Sequence, residues 1–509
     1  MTINTSPIPA GNAIRVPLFY VAFDNSQAAV SDTQASKVLL LGQTFEQLPL
    51  QLAECVSVGL TQNQVGRGSM IDRMFQTYRA ADAFSEVWFL PVPDAAAGVA
   101  ATQVLTFLGV VSATSTLALY IAGQNVPVLT VAGATAAMVA TAVAAAVNAA
   151  LDLPVTAAVS GTTNQAVTLT ARHVGAAGNS IDVRINYRGL RNGESTPPGL
   201  TLAISNPMTG AQDPDLTGVA AIIGDLQFDA IVCPYSTSAA LAAMTAMMSF
   251  AAGRWSYSRQ SYGHVWSAVA GISTASEPAA AELQAFGATL NDPHLTVVGY
   301  YDSPTPPWEF VADRVATVFP SLSADPAQPT QTLRQTSALA PPASSRFNFA
   351  TQNSLLRSGV ALSSYDDAGN VYVLRDTTTY QSNAFGTSDL SYTDTETLYT
   401  LMEVTRRLKA ALTTKFARVK IVNDGTNFGP GQPMATPKMI KAELVASYAT
   451  MVDAGLVEDI AAFTAATSVE RDPQNPSRVN ILYAPYLVSG LRIFAVLNQF
   501  RLLDPALAA

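Results

Sequence analysis

Three short apolar runs, at residues 228–233, 265–270 and 295–300, are separated by two helix-length segments, 238–252 and 277–290. Runs of this kind lack the polar alternation of a sheet with one wet face, so both of their faces must be covered. Strands joined by helices in that order predict a parallel sheet with right-handed crossovers, an α/β unit. Two further runs, 37–42 (KVLLLG) and 86–90 (EVWFL), flank a helical stretch at 70–83 and read as strands of the same layer.

Something interrupts that layer. Between Pro93 and Ala171 the only charged residues are Asp94 and Asp152, while Ala, Val and Thr dominate. Short strands are expected at 104–111, 117–121, 126–131, 155–159, 166–170 and 181–187, divided by Gly- and Asn-bearing turns. The alanine-rich run 131–151 reads as a helix packed on a sheet. A Pro- and Gly-rich stretch, 193–210, reads as the closing loop. Residues 94–212 are therefore expected to be an inserted, mainly β domain in an α/β (α+β multidomain) chain, with the layer divided into 26–93 and 213–345.

Beyond a Pro- and Ser-rich loop at 304–342, holding a short helix near 308–318, a hairpin is expected from strands 359–363 and 371–375 around Asp366-Asp367-Ala368-Gly369-Asn370. Two amphipathic helices follow. The first carries Thr393 and Glu396 as a capping box and Leu398, Leu401, Met402, Thr405, Leu408 and Leu412 on one face. The second has Thr436 as N-cap and Pro437 at its first position, buries Ile440, Leu444, Tyr448 and Met451, and stops at Gly455. Strands are predicted at 478–483 and 491–502. The opposite end, with Pro7, Pro9 and Gly11 before the alternation around Ile14, Val16, Leu18 and Tyr20, reads as an extended arm entering a strand.

A chain of 509 residues exceeds one ordinary core, since single cores seldom pass roughly 250–300 residues. Its 13% charged residues fall well short of the ~25% usual in soluble domains, which predicts a surface partly covered by other subunits. No basic n-region followed by an apolar stretch opens the chain, and the 131–151 run is too small and polar to span a bilayer, so cytoplasmic synthesis without membrane insertion is expected. A net charge of −9 argues against wrapping nucleic acid. Residues 401–450 reverse it, with eight Lys and Arg against Glu403, Asp424 and Glu443.

Residues able to do chemistry are scarce. His173, His264 and His294 are scattered and match no zinc spacing, and they read as packing or surface histidines. Cys55 and Cys233 read as buried free thiols. Neither a phosphate loop nor a GxGxxG follows a strand, and Gly66-Arg67-Gly68-Ser69 lacks the final glycine of a nucleophile elbow. Asp213 and Asp215, like Asp366 and Asp367, lie in turn-rich polar stretches. No catalytic, metal or cofactor site is expected.

Several segments resemble, in order, the tail sheath proteins of Mu-like contractile phages. These are Ile14-Arg15-Val16-Pro17-Leu18-Phe19-Tyr20 with Val21-Ala22-Phe23-Asp24-Asn25-Ser26; Arg375-Asp376-Thr377-Thr378-Thr379-Tyr380-Gln381 with the helix after Ser391-Tyr392; Thr436-Pro437-Lys438 through Leu444 with Gly455-Leu456-Val457-Glu458-Asp459; and Arg471, Asn475-Pro476, Arg478, Arg492-Ile493-Phe494 and Gln499-Phe500. The match covers the first ninety or so residues and most of 215–505, and is weak in the insertion beyond Gly178-Asn179-Ser180-Ile181-Asp182-Val183.

The resemblance implies a sheath core, an outward-facing insertion, a tube-proximal domain at 346–490, and terminal arms at 1–25 and 491–509 that add strands to neighbouring subunits. Ile14, Val16, Leu18, Tyr20, Leu491, Ile493, Phe494, Val496 and Phe500 would make that exchange. It also implies stacked hexameric rings of the chain itself around a tail tube protein, with baseplate and tail terminator proteins at the ends, in a virion tail assembled in the host cytoplasm. Contraction would drive the tube through the envelope without a nucleotide. Lys438, Lys441, Arg406, Arg407 and Lys409 are candidates to face an acidic tube; solvated faces or salt bridges between subunits explain them equally. The sheath of an R-type phage-like bacteriocin would look the same. A reading from another class is a surface adhesin or glycan-binding protein built on the insertion.

Overall fold

The computed structural model describes residues 36–272 and 278–500. The expected N-terminal strand with Ile14, Val16, Leu18 and Tyr20 lies outside them, as do Glu277 and residues 501–502.

The chain begins with β1 (Lys37–Gly42), β2 (Ala53–Glu54), α1 (Val58–Val65), α2 (Met70–Ala81) and β3 (Glu86–Pro91). Ser69, from the GRGS motif, is buried and caps α2, its side chain accepting from the Asp72 amide. The insertion holds β4 (Ala100–Gly109), β5 (Ser115–Ile121), β6 (Gln124–Thr130), α3 (Ala136–Ala149), β7 (Val155–Ser160), β8 (Ala166–Val174), β9 (Val183–Ile185) and β10 (Leu200–Ser205). These form a four-stranded sheet, β10-β4-β8-β7, and a three-stranded one, β6-β5-β9, with α3 packed against both. β10 corrects the expected loop at 193–210. The alternation of Leu200, Leu202 and Ile204 with Thr201, Ala203 and Ser205 pairs antiparallel with β4 along its whole length, directly after the Pro197-Pro198-Gly199 turn that suggested a loop.

The layer resumes with α4 (Val219–Ile223), β11 (Ala230–Val232), α5 (Ser238–Met248), β12 (His264–Gly271), α6 (Ala279–Ala288), β13 (Leu295–Tyr301), α7 (Pro307–Ala324), β14 (Arg334–Gln335), α8 (Phe349–Arg357), β15 (Val360–Tyr365) and β16 (Val371–Arg375). One nine-stranded sheet results, in the order β14-β16-β15-β13-β12-β11-β1-β3-β2. Its centre, from β3 through β15, is parallel, and antiparallel strands finish both edges. Val38, Leu39, Leu40 and Leu41 are all buried, as a strand covered on both faces requires; each contributes about 1.5–3 kcal/mol relative to exposure.

Helix α7 is longer than the segment expected at 308–318 and almost wholly buried, because it packs on both α2 and the strands β11 and β12. Since β15 and β16 complete the sheet, the layer runs past the boundary expected at 345/346. The insertion is tied to this layer by Arg67 to Asp152 (2.7 Å), Arg184 to Asp302 (2.9 Å) and the Tyr187 hydroxyl donating to the Ala340 carbonyl (2.7 Å). A continuous apolar cluster joins the two.

The rest of the chain comprises α9 (Thr395–Phe416), β17 (Lys420–Ile421), β18 (Met434–Ala435), α10 (Pro437–Asp453), β19 (Val457–Glu458), α11 (Ile460–Ala466), β20 (Ser468–Arg471), β21 (Val479–Leu482) and β22 (Tyr486–Leu487). For α10 the expected cap, buried stripe and stop all hold: the Thr436 hydroxyl accepts from the Met439 amide, and Ile440, Leu444, Tyr448 and Met451 are buried. The capping box of α9 does not form. Asp394 occupies the N-cap, and the Glu396 carboxylate turns inward to accept from the Thr330 amide (2.9 Å).

Candidate functional site

Residues 491–500 read LRIFAVLNQF, a composition suited to a strand, and the expected strand does not form. A strand needs a ladder partner, and no described strand lies alongside this segment. Phe494 is 78% exposed and Val496 83%, and Leu491, Ile493, Leu497 and Phe500 are exposed as well. Large contiguous apolar exposure marks an interaction site. Covering Ile493, Phe494, Val496, Leu497 and Phe500 would release on the order of 10 kcal/mol before the cost of ordering the segment.

The root of this segment is held. Gln331 Nε2 donates to the Leu491 carbonyl (3.2 Å), and Gly490 is pressed so closely on Pro329 that a Cβ there would meet the ring. Arg492 turns into the molecule, its Nη2 2.8 Å from Glu396 Oε2 and its Nε 3.4 Å from Asp394 Oδ2. The inward Glu396 is what the capping-box reading missed.

Free sheet edges also occur. β20 and β21 form an antiparallel pair to which no other described strand adds. Val469, Val479 and Ile481 of this pair pack with Ile440 and Leu444 of α10. Its connecting loop is braced by the Asp472 carboxylate, which accepts from the Gln474 and Asn475 amides and is held below the usual carboxylate range chiefly by those bonds. A two-stranded ribbon is marginal alone, so an added strand would find both order and demand there. The edge of β7 is closed instead. Asn148 from α3 donates to the Ala157 carbonyl (2.8 Å) and accepts from the Ala157 amide (2.9 Å), occupying both backbone groups as a strand would.

The basic residues separate. Arg406 forms an ion pair with Asp229 at the foot of β11, and Arg407 pairs with Glu403 one turn back (2.6 Å), so both are engaged inside the subunit. Lys409 and Lys438 are exposed and Lys441 is half-buried, and none has an ion pair among the described residues. Lys438 and Lys441 sit three apart on one face of α10.

Groups of chemical interest are packed away. His264 is wholly buried with Nε2 2.9 Å from the Thr296 hydroxyl, and desolvation, reinforced by His294, pushes it down to about 3. His294 lies against Asp292 (3.0 Å), and His173 accepts from the Met70 amide (3.2 Å). Both cysteines are buried and free, and burial pushes the Cys233 thiol up to about 12, far from a thiolate at neutral pH. Asp366 closes its turn through Asn370. No cluster able to hold a metal, and no helix long and apolar enough to cross a membrane, occurs among the described residues. Among the described residues that line a cleft of about 290 Å³ between α2, α7 and the β5–β6 turn, the charged ones are Arg73 and Glu309, and they neutralise each other at 2.9 Å.

Two family models match the chain: the phage tail sheath protein central domain over residues 209–379 and the phage tail sheath C-terminal domain over residues 387–501. The Mu-like prophage FluMu tail sheath protein of Haemophilus influenzae is 35% identical over 504 residues, covering 98% of this chain and all of that protein. Among solved structures, the sheath tail protein Lin1278 from Listeria innocua aligns over 89% of this chain and 92% of its own at 14% identity and a TM-score of 0.46. The helical sheath of the anti-feeding prophage in its contracted state aligns over 96% and 99% at 11% identity and a TM-score of 0.48.

Proposed function

Because the chain belongs to the phage tail sheath family, we propose that it is the structural subunit of a contractile tail sheath, polymerising as stacked hexameric rings around a tail tube. The observation that carries this reading is the exposed apolar segment 491–500 on a held root. A segment of strand-forming composition with no strand partner among the described residues reads as a donor. The β20–β21 ribbon, to whose outer edges no described strand adds, is our candidate acceptor for a neighbour's arm. Backbone hydrogen bonds would fix direction and register while the side chains of the arm cover the ribbon. The N-terminal arm, with Ile14, Val16, Leu18 and Tyr20, supplies the second donor on the same reasoning.

The stroke is then driven by subunit contacts exchanged between two lattice arrangements, without catalysis or a cofactor. Lys438 and Lys441, with Lys409, face the tube through weak, screened contacts that release as the sheath moves. Baseplate and terminator proteins bound the polymer, which belongs to a phage or phage-like particle assembled in the host cytoplasm.

Negative-stain microscopy of the purified chain tests the reading: ridged hollow cylinders are expected, and a stable monodisperse monomer would sink it. Deleting residues 493–509, which keeps Arg492 on Glu396, or residues 1–23, should leave folded subunits that no longer form cylinders. Neutralising Lys438 and Lys441 together should reduce co-sedimentation with tubes at moderate salt, and unchanged co-sedimentation would remove that pair from the tube contact.

A further inference from the structure

Arg492 is the one residue of 491–500 that is not exposed, its side chain 12% accessible amid a run of bare apolar residues. It enters a closed charge network. Asp376 is bound by Arg314 (2.8 Å), Asp394 by Arg375 (2.9 Å), and Glu396 by Arg492 (2.8 Å), three carboxylates against three guanidinium groups. Thr330 links the set, its hydroxyl 2.7 Å from Asp376 Oδ2 and its amide donating to Glu396 Oε1 (2.9 Å). Burial raises the Glu396 carboxyl, and the Arg492 charge acts against that rise. Withdrawing Arg492 therefore leaves a buried carboxylate without its counter-ion, which is far costlier than losing an exposed pair.

We propose that Arg492 is the anchor that fixes the root of the C-terminal arm to its own subunit, so that the segment beyond it is presented to a neighbour from a defined exit point. The proposal rests on the strand-donation reading above and adds a positioning residue to it. An arm tethered only by flexible chain would have a low effective concentration at the acceptor edge and would transmit no direction when subunits turn. An arm clamped at Arg492, with Gly490 packed on Pro329, begins its free path at one place on α9. The load it carries passes through the network into β16 (Arg375), α7 (Arg314) and the main sheet.

The test compares the full chain with Arg492→Ala, Arg492→Lys, the double variant Arg492→Ala/Glu396→Gln, and the deletion of 493–509, which removes the free arm and keeps Arg492. Spin labels at Phe494→Cys and Lys409→Cys report the arm root in unassembled subunits, the two native cysteines being buried. Wild type should give a narrow distance distribution. Arg492→Ala should broaden it and yield short or irregular cylinders, with Arg492→Lys intermediate. The double variant should recover the melting temperature of the core while keeping the broad distribution, which separates a loose arm from a damaged fold. A narrow distribution and normal cylinders in both alanine variants, alongside loss of cylinders in the deletion, would overturn the anchor while leaving strand donation intact. Normal cylinders in the deletion would overturn strand donation itself, and the anchor with it.

Discussion

Replacing Arg314 with Met should be among the most damaging single changes in this chain. Its guanidinium and the Asp376 carboxylate are both fully inaccessible. The same group donates to Gln335 Oε1 (3.0 Å), Ser363 Oγ (3.0 Å) and the Leu362 carbonyl (2.9 Å). Removing one partner of a buried pair costs about 3–5 kcal/mol because the remaining charge stays buried. Gln335 keeps the Ser363 hydroxyl as a donor (3.2 Å), but the Leu362 carbonyl loses its side-chain donor, adding up to about 1–3 kcal/mol that is not fully additive. A loss of about 4–5 kcal/mol is expected. Urea unfolding of dilute, unassembled subunits, followed through buried Trp266 and Trp308, would read it. At an m-value of about 3 kcal/mol per molar, the midpoint falls by more than ~1 M. Arg314→Met/Asp376→Leu removes the stranded charge and should regain at least half of the loss. A single variant within about 1 kcal/mol of wild type, or a double variant no better than the single, would refute the reasoning.

His264, held near 3 by burial, titrates far below the ~6.5 of an unfolded chain. The unfolded state alone therefore takes up this proton between those values, and stability falls as pH drops from about 6.5 towards 3, by up to about 1.4 kcal/mol per pH unit. His264→Gln should flatten the urea midpoint against pH by that one proton. Asn148→Ala should strip the Ala157 amide and carbonyl of their partners, cost about 1–2 kcal/mol and open the β7 edge. Amide exchange at Ala157 and light scattering would register both effects, and unchanged exchange would count against the closed edge. At Gly199, φ is +82° and an added Cβ would overlap the Val110 carbonyl, so Gly199→Ala should loosen the β4–β10 pairing by about 2 kcal/mol or more. Gly218→Ala, with open space and φ −78°, should be nearly neutral by the same exchange measurement.

Local pattern alone determined the α/β layer, because runs such as KVLLLG must be covered on both faces wherever they lie. It also determined α10, whose Thr436, Pro437 and Gly455 act on backbone groups within a turn of themselves. The order of residues in the C-terminal third and at residues 14–26 carried the resemblance to tail sheaths that the 35% identical relative bears out. What pattern left open is whatever depends on partners distant in the chain. Glu396 has the spacing of a capping residue, yet a buried carboxylate seeks the strongest counter-charge within reach, and Arg492 supplies it from 96 positions downstream. Arg406, one of the basic surplus, is spoken for by Asp229. The segment 491–500 has the composition of a strand, but strand propensity does not name the edge that completes it. The tertiary structure decided that this edge is not among the described residues of the same subunit, and so turned a predicted strand into a candidate donor.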